Sequence, residues 1–179
     1  MSLISEAGGL YVGGLDALDN PDLLEENRVT HILTVLEFDY CDYEEFDCYE
    51  KMLITAEDDP REDLLQHFSD TNLFIQDALA DDGAVLVHCA MGHSRSVTIA
   101  CAYLMWAHRL SAKTALSLLQ SYHAEAQPNE GFMRQLEAYG RILSDDEPTD
   151  DEGDGVAYSD VFDRRREKMT GSGWEGIVL

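Results

Sequence analysis

The stretch Ala84–Ser96, AVLVHCAMGHSRS, constrains this chain more than any other. Four apolar residues, Ala84 to Val87, lead into His88 and Cys89; a turn of small and polar residues follows, then Arg95 and Ser96. From Val97 to Ala107 the chain is apolar with little interruption. A short apolar run bounded by turn residues reads as a buried strand, and the longer run after it as a buried helix. One cysteine opens the loop between them and one arginine closes it. The question for the rest of the chain is whether that cysteine is a packed sulfur or a nucleophile.

The flanking sequence supplies the layers such a unit needs. Leu10–Gly14 reads as a short strand ended by glycines. Asn20 caps a helix with Pro21 at its first position, and Asn27 can close it. Val29–Leu36 is rich in β-branched residues and reads as a buried strand, Phe38–Asp47 as an acidic and aromatic loop, and Tyr49–Thr55 as another strand. Ala56–Glu62 is a polar, proline-containing loop, placed where site residues tend to sit.

Leu64, Phe68, Ile75 and Leu79 predict an amphipathic helix over Asp63–Ala80, with Asp63 as its cap, stopped by Asp81-Asp82-Gly83. Ser111 caps a further helix carrying Ala115, Leu118, Leu119 and Tyr122 on one face. Gln127-Pro128-Asn129 breaks it and starts another, Glu130–Leu143. Strand and helix alternate before the central strand, and three helices follow it. That order predicts an α/β domain over residues 1–143. Residues 144–179 open on the acidic run SDDEPTDDEGDG and continue through a basic patch, Arg164–Arg166 and Lys168, so they are expected to be a flexible acidic linker and tail.

Composition narrows the function. With 36 acidic against 12 basic residues the formal charge is −24. DNA or RNA backbones are poor partners for such a surface, and direct DNA binding is not expected. A phosphorylated substrate would need a concentrated local positive field. No apolar run is long enough to span a bilayer, and the N-terminus lacks a basic segment followed by an apolar one, so an intracellular chain away from membranes is expected. The cysteines (Cys41, Cys48, Cys89 and Cys101) match no zinc spacing, and a reduced state is expected for them.

A loop leading from a strand into a helix N-terminus turns several N–H groups toward its own centre and makes an anion nest. Gly92 gives that loop conformational freedom. Arg95 adds a planar fork able to grip two phosphate oxygens. The same nest stabilises a thiolate, so the features that would bind phosphate would also make Cys89 nucleophilic. A departing oxygen needs a proton, which a carboxylic acid on a separate loop can give; Asp58 and Asp59 are both placed for it. Ser96 can hydrogen-bond the leaving sulfur, and His88 suits orienting the loop better than acting as a base. Cys101, inside the apolar helix, reads as packing. His31, His67, His108 and His123 have no ligand spacing and read as ordinary residues.

Cys89, five intervening residues and Arg95, with His88 before and Ser96 after, resemble the signature of cysteine-dependent protein phosphatases. LYVGG, an acidic loop followed by DLLQHF, VLVHCAMGHSRS and PNEGFMRQL look like the dual-specificity branch, over Gly9 to Leu143. DDPREDLL and NEGF-x-x-QL make the chain similar to a subgroup that carries a C-terminal zinc-binding domain and acts in maturation of the large ribosomal subunit. The sequence given has no cysteine beyond Cys101.

The resemblance implies a central mixed sheet of about five strands flanked by helices, and hydrolysis of phosphotyrosine and phosphoserine/threonine through a phosphocysteine. Cys89 matches the nucleophile, Arg95 the phosphate-binding arginine, Ser96 the hydroxyl assisting thiolate release, and Asp58 the general acid. Ala90, Met91, Gly92, His93 and Ser94 match the backbone donors that bind substrate with Arg95, and His88 the supporting residue. His93 departs from the small, apolar or Lys side chains more familiar there, and histidine can change charge near physiological pH. The resemblance implies no metal or cofactor, a cytoplasmic and nuclear location, phosphorylated protein substrates, and large ribosomal subunit precursors as further partners. A non-catalytic assembly factor using the same fold as a scaffold is the alternative expectation.

Overall fold

A computed structural model describes residues 1–80 and 83–145. The expected acidic linker and tail lie outside the described residues apart from the end of one helix, as does most of the expected Asp81–Gly83 helix stop. Five strands, β1 (Ser2–Ile4), β2 (Leu10–Gly13), β3 (Val29–Leu36), β4 (Glu50–Thr55) and β5 (Ala84–His88), form one sheet in the order β1-β2-β5-β3-β4. β1 runs antiparallel to β2, and every other pairing is parallel. The expected mixed sheet is therefore what forms. β5 lies at its middle, with Val85, Leu86 and Val87 fully buried, because a parallel strand covered on both faces needs apolar residues at consecutive positions rather than alternate ones.

The helices are α1 (Pro21–Glu26), α2 (Phe68–Ala80), α3 (Arg95–His108), α4 (Ala112–Tyr122) and α5 (Glu130–Asp145). α3 is buried on all sides from Arg95 to Ala107, which explains its unbroken apolar sequence. It packs against the sheet and against α2, α4 and α5. On the other side, Tyr11, Ile32 and Leu86 meet Leu18, Leu24, Cys41 and Phe46. The segment read as an acidic loop over Phe38–Asp47 thus contributes to the core, and Glu44–Phe46 within it forms a single 3-10 turn. None of the described helices is long and apolar enough to cross a membrane.

Local detail departs from the sequence reading at three elements and sharpens it at a fourth. β1 was not legible: three residues, Ser2–Ile4, carry no periodic pattern of their own and are set by pairing with Val12, Tyr11 and Leu10. α3 starts at Arg95, before the apolar run. α2 starts at Phe68 rather than Asp63, after a 3-10 turn at Leu65–His67. The amphipathic spacing ran through that turn because Leu64 is fully buried although it precedes the helix. Finally, Asn27 closes α1 through its side chain, donating from Nδ2 to the Leu23 carbonyl at 2.7 Å, while the left-handed residue is Arg28 at φ 52°.

Gln135 on α5 explains how the segment before α2 holds its shape. Its Oε1 accepts from the N–H groups of Leu64 and Leu65 at 2.8 and 2.9 Å, and its Nε2 donates to the Glu62 carbonyl at 2.7 Å. At the start of the same helix Gly131 packs so closely on Pro60 that a Cβ would overlap the Pro60 carbonyl. α5 is in this way fitted to the loop over residues 56–62. Gln135→Ala should lower stability by about 1–3 kcal/mol, the cost of leaving partly buried donors unpaired, as measured by urea unfolding.

Candidate active site

Parallel strands end together, and loops leaving their C-terminal ends share one edge of the sheet. The β5–α3 loop (residues 89–94), the end of β3 and the loop after β4 meet there. Cys89 follows β5, with its N–H bonded to the Gly13 carbonyl at 3.3 Å, and is only 2 % exposed. Its Sγ receives the Gly92 N–H at 3.3 Å and lies 3.3 Å from Ser96 Oγ on the first turn of α3. Gly92 has φ 76°, and a Cβ there would sit 2.7 Å from the Gly13 carbonyl carbon, so both conformation and contact require glycine. Ala90 is anchored through its carbonyl to Leu15 N–H at 3.1 Å, and Met91 is 71 % exposed at the loop tip.

Arg95 is 5 % exposed. Its Nη1 donates to the Ala56 carbonyl at 2.9 Å and pairs with Glu37 Oε1 at 3.0 Å. Its Nε is buried and meets no acceptor among the described residues. A buried guanidinium donor without a partner is costly unless something anionic completes it. Glu37 itself is held below the usual carboxylate range, first by its own backbone N–H and then by Arg95, against the opposing effect of burial.

The two candidate acids are separated by their surroundings. Asp58 Oδ1 accepts from Ser94 Oγ at 2.7 Å and from Asn129 Nδ2 at 2.8 Å. Asp59 instead forms a two-point pair with Arg61 (Nε–Oδ1 and Nη2–Oδ2, both 2.9 Å), which pulls its carboxyl down to about 2. Asp59 thus spends both carboxylate oxygens on Arg61, whose side chain is exposed to solvent. Ser94 also accepts from the Asn129 N–H at 3.1 Å, and Asn129 Oδ1 caps α5 through the Phe132 N–H at 3.0 Å.

His88 is fully buried and bonded through Nε2 to Thr34 Oγ1 at 2.8 Å. Burial pushes its imidazolium down to about 4, with the Cys89 backbone offsetting part of that effect. Burial likewise pushes Cys101 up to about 12, which makes it an inert packed thiol as expected. His93 lies half-exposed, with Nε2 3.1 Å from Glu125 Oε2.

The structure brings Cys89, Arg95, Ser96, Asp58 and residues 90–94 together, and pairs Asp59 with Arg61 instead. Sequence reasoning misses Glu37, Thr34 and the second role of Asn129, whose sequence shows only the break between two helices, ending one and starting the next. Position at strand ends gave a signal for Glu37; the others show only in three dimensions. His123, read as ordinary, also touches the loop: its Nε2 is 2.9 Å from the Gly92 carbonyl. Among the described residues no group of three or more His, Cys, Asp or Glu side chains is arranged to hold a metal ion.

A cysteine in a strand–loop–helix anion nest, closed by a buried arginine, defines the class of cysteine-dependent phosphatases. The chain belongs to the dual-specificity phosphatase family: the model of "Dual specificity phosphatase, catalytic domain" matches residues 10–142. It is 38 % identical over 135 residues to dual specificity protein phosphatase 1B of Arabidopsis thaliana, covering 75 % of this chain and 80 % of that protein. To tyrosine-protein phosphatase YVH1 of Saccharomyces cerevisiae it is 34 % identical over 157 residues, covering 77 % of this chain but 43 % of the yeast protein. The crystal structure of human DUSP28 superposes with a TM-score of 0.76 at 28 % identity, covering 82 % of this chain and 100 % of that one.

The His88 environment makes stability depend on pH. The native ring titrates near 4 against an ordinary value of 6.5, so the unfolded chain binds more protons between these values. Its contribution is complete above pH 6.5 and is lost as pH falls toward 4, reaching about 3 kcal/mol. The loss should be seen as the difference in urea-unfolding free energy between wild type and His88→Gln followed from pH 7 to pH 4.5, a comparison in which carboxylate titration common to both cancels.

Proposed function

We propose that this domain hydrolyses phosphate monoesters on protein side chains, phosphotyrosine and phosphoserine/threonine alike, through a phosphocysteine at Cys89. The observation that carries this is the convergence on one loop of a sulfur with N–H and O–H partners, a buried arginine with an unpaired Nε, and an acid pinned to the same loop by Ser94. Backbone N–H groups over residues 90–95 and the Arg95 guanidinium receive the phosphoryl oxygens, and their alignment costs nothing at the moment of reaction. The Gly92 N–H and the start of α3 stabilise the Cys89 thiolate, which attacks phosphorus and displaces the side-chain oxygen.

Asp58 protonates that departing oxygen. Ser94 and Asn129 both bind Oδ1, so the transferable proton belongs on Oδ2. Water then attacks the phosphocysteine with Asp58 as base, phosphate leaves, and Ser96 Oγ hydrogen-bonds the sulfur as it regains its charge. In this scheme Asp59 is excluded as the acid by its pair with Arg61. Glu37 and the Ala56 carbonyl hold one end of the guanidinium so that its Nε edge is presented to the anion. Residues 1–143 form the catalytic domain in this reading, and 144–179 a linker and tail.

The similarity to YVH1 supports a second reading, in which the domain also serves assembly of the large ribosomal subunit, with subunit precursors as partners. Cosedimentation of tagged protein with such precursors, unchanged by Cys89→Ser, would separate a scaffold role from turnover. For the catalytic reading, Cys89→Ser should abolish hydrolysis of p-nitrophenyl phosphate and of phosphopeptides. Asp58→Ala should slow turnover of phosphoserine and phosphothreonine peptides by about 10²–10⁴-fold, while Asp59→Ala stays close to wild type. Equal rates for wild type and Cys89→Ser, or a large loss on Asp59→Ala instead, would overturn the assignments.

A further inference from the structure

Gly92 leaves the Gly92–His93 peptide freer to rotate than a residue with a Cβ would. Gly92 at φ 76° has no Cβ to restrict ψ, so this peptide plane can rotate at little steric cost. Rotation would turn the His93 N–H away from the anion and a carbonyl oxygen toward it. One bond from the segment between α4 and α5 acts on that peptide directly, and two more hold His93 beside it. His123 Nε2 lies 2.9 Å from the Gly92 carbonyl, the Gln127 N–H donates to the His93 carbonyl at 2.7 Å, and Glu125 pairs with the His93 ring at 3.1 Å.

The direction of the first bond follows from the chemistry of the atoms. A carbonyl only accepts, so His123 must carry its proton on Nε2. In the neutral ring Nδ1 is then an acceptor, and Ser2 Oγ, 3.0 Å away, donates to it. Ser2 is in turn held by pairing with Val12 of β2. An ordered relay therefore runs from the sheet edge through Ser2 and His123 to one carbonyl of the catalytic loop. Because a trans peptide is planar, with N–H and C=O on opposite sides, fixing that carbonyl toward His123 fixes the His93 N–H on the side away from His123.

We propose that His123 is a positioning residue: it holds the Gly92–His93 peptide in the orientation that presents the His93 N–H to the phosphoryl oxygens of the substrate. This rests on the phosphate-binding reading of the loop, not on the identity of the nucleophile or of the acid. The segment over residues 123–127 becomes part of the oxyanion site without touching the anion. His93 acquires a reason too, since its ring gives Glu125 a handle on the same loop.

Binding of tungstate, a phosphate-like oxyanion, measured by isothermal titration calorimetry on the full chain, tests this independently of turnover. His123→Phe should weaken tungstate binding by about tenfold, the scale of one lost hydrogen bond to an ion. The kcat/KM for p-nitrophenyl phosphate should fall in parallel. His123→Gln, whose amide nitrogen can occupy the place of Nε2, should restore both to within about twofold of wild type.

Tungstate affinity unchanged in His123→Phe would overturn the proposal. So would equal impairment of the Phe and Gln variants, since that marks packing rather than the donor. Should His123→Phe not fold, Ser2→Ala carries the test: weaker tungstate binding supports the relay and unaltered binding refutes it. If instead wild type binds tungstate and His123 behaves as stated while Cys89→Ser retains full turnover, the catalytic reading fails and the positioning role stands.

Discussion

The Ser94 hydroxyl joins parts of the chain that are far apart in sequence. It donates to Asp58, on the loop after β4, and accepts from the backbone N–H of Asn129, ahead of α5. An N-cap serine usually spends its oxygen on its own helix. Here it makes no such cap for α3, and its carbonyl alone begins the helix by accepting from the Thr98 N–H at 2.9 Å. The side chain is thereby free to tie the candidate acid to the anion loop. Asn129 doubles the tie by binding the same carboxylate oxygen and capping α5, so the loop over residues 56–62, the anion loop and the last helix are positioned as one body.

Electrostatics work on this frame by contrast. The chain carries a formal charge of −24, yet the atoms that would face a phosphate are N–H groups and one guanidinium. Arg95 is buried, and its charge is shared with Glu37 at one end only. Two carboxylates one residue apart are sorted by their partners: Asp59 is fixed as an anion by Arg61, and Asp58 is bound by neutral donors. The sorting depends on a guanidinium two residues beyond Asp59, not on any difference between the aspartates themselves.

That is also why parts of the site could not be read from sequence. The strands β2 to β5 and the described helices leave signals in apolar spacing, with caps legible for α1, α4 and α5, because their burial is continuous enough to shape composition. β1 left none: three residues gain strand geometry only from their partner. The start of α2 was displaced by a buried Leu64, whose side chain keeps helical spacing while Gln135 takes its N–H. Cys89 and Arg95 were legible because strand, loop and helix are contiguous. Thr34, Asn129 and His123 each reach the loop across more than thirty residues of chain, or from another strand, and nothing local in their sequence distinguishes them from a core threonine, a helix cap and a surface histidine.

The complete burial of α3 carries a consequence for how the molecule comes together. A helix buried on all sides draws its stability from the sheet and the helices packed around it rather than from its own length. Arg95 and Ser96 are the first residues of that helix, and the anion loop is its leader. Whatever loosens the packing of α3 therefore also loosens the frame that holds Cys89 and Arg95 beside each other.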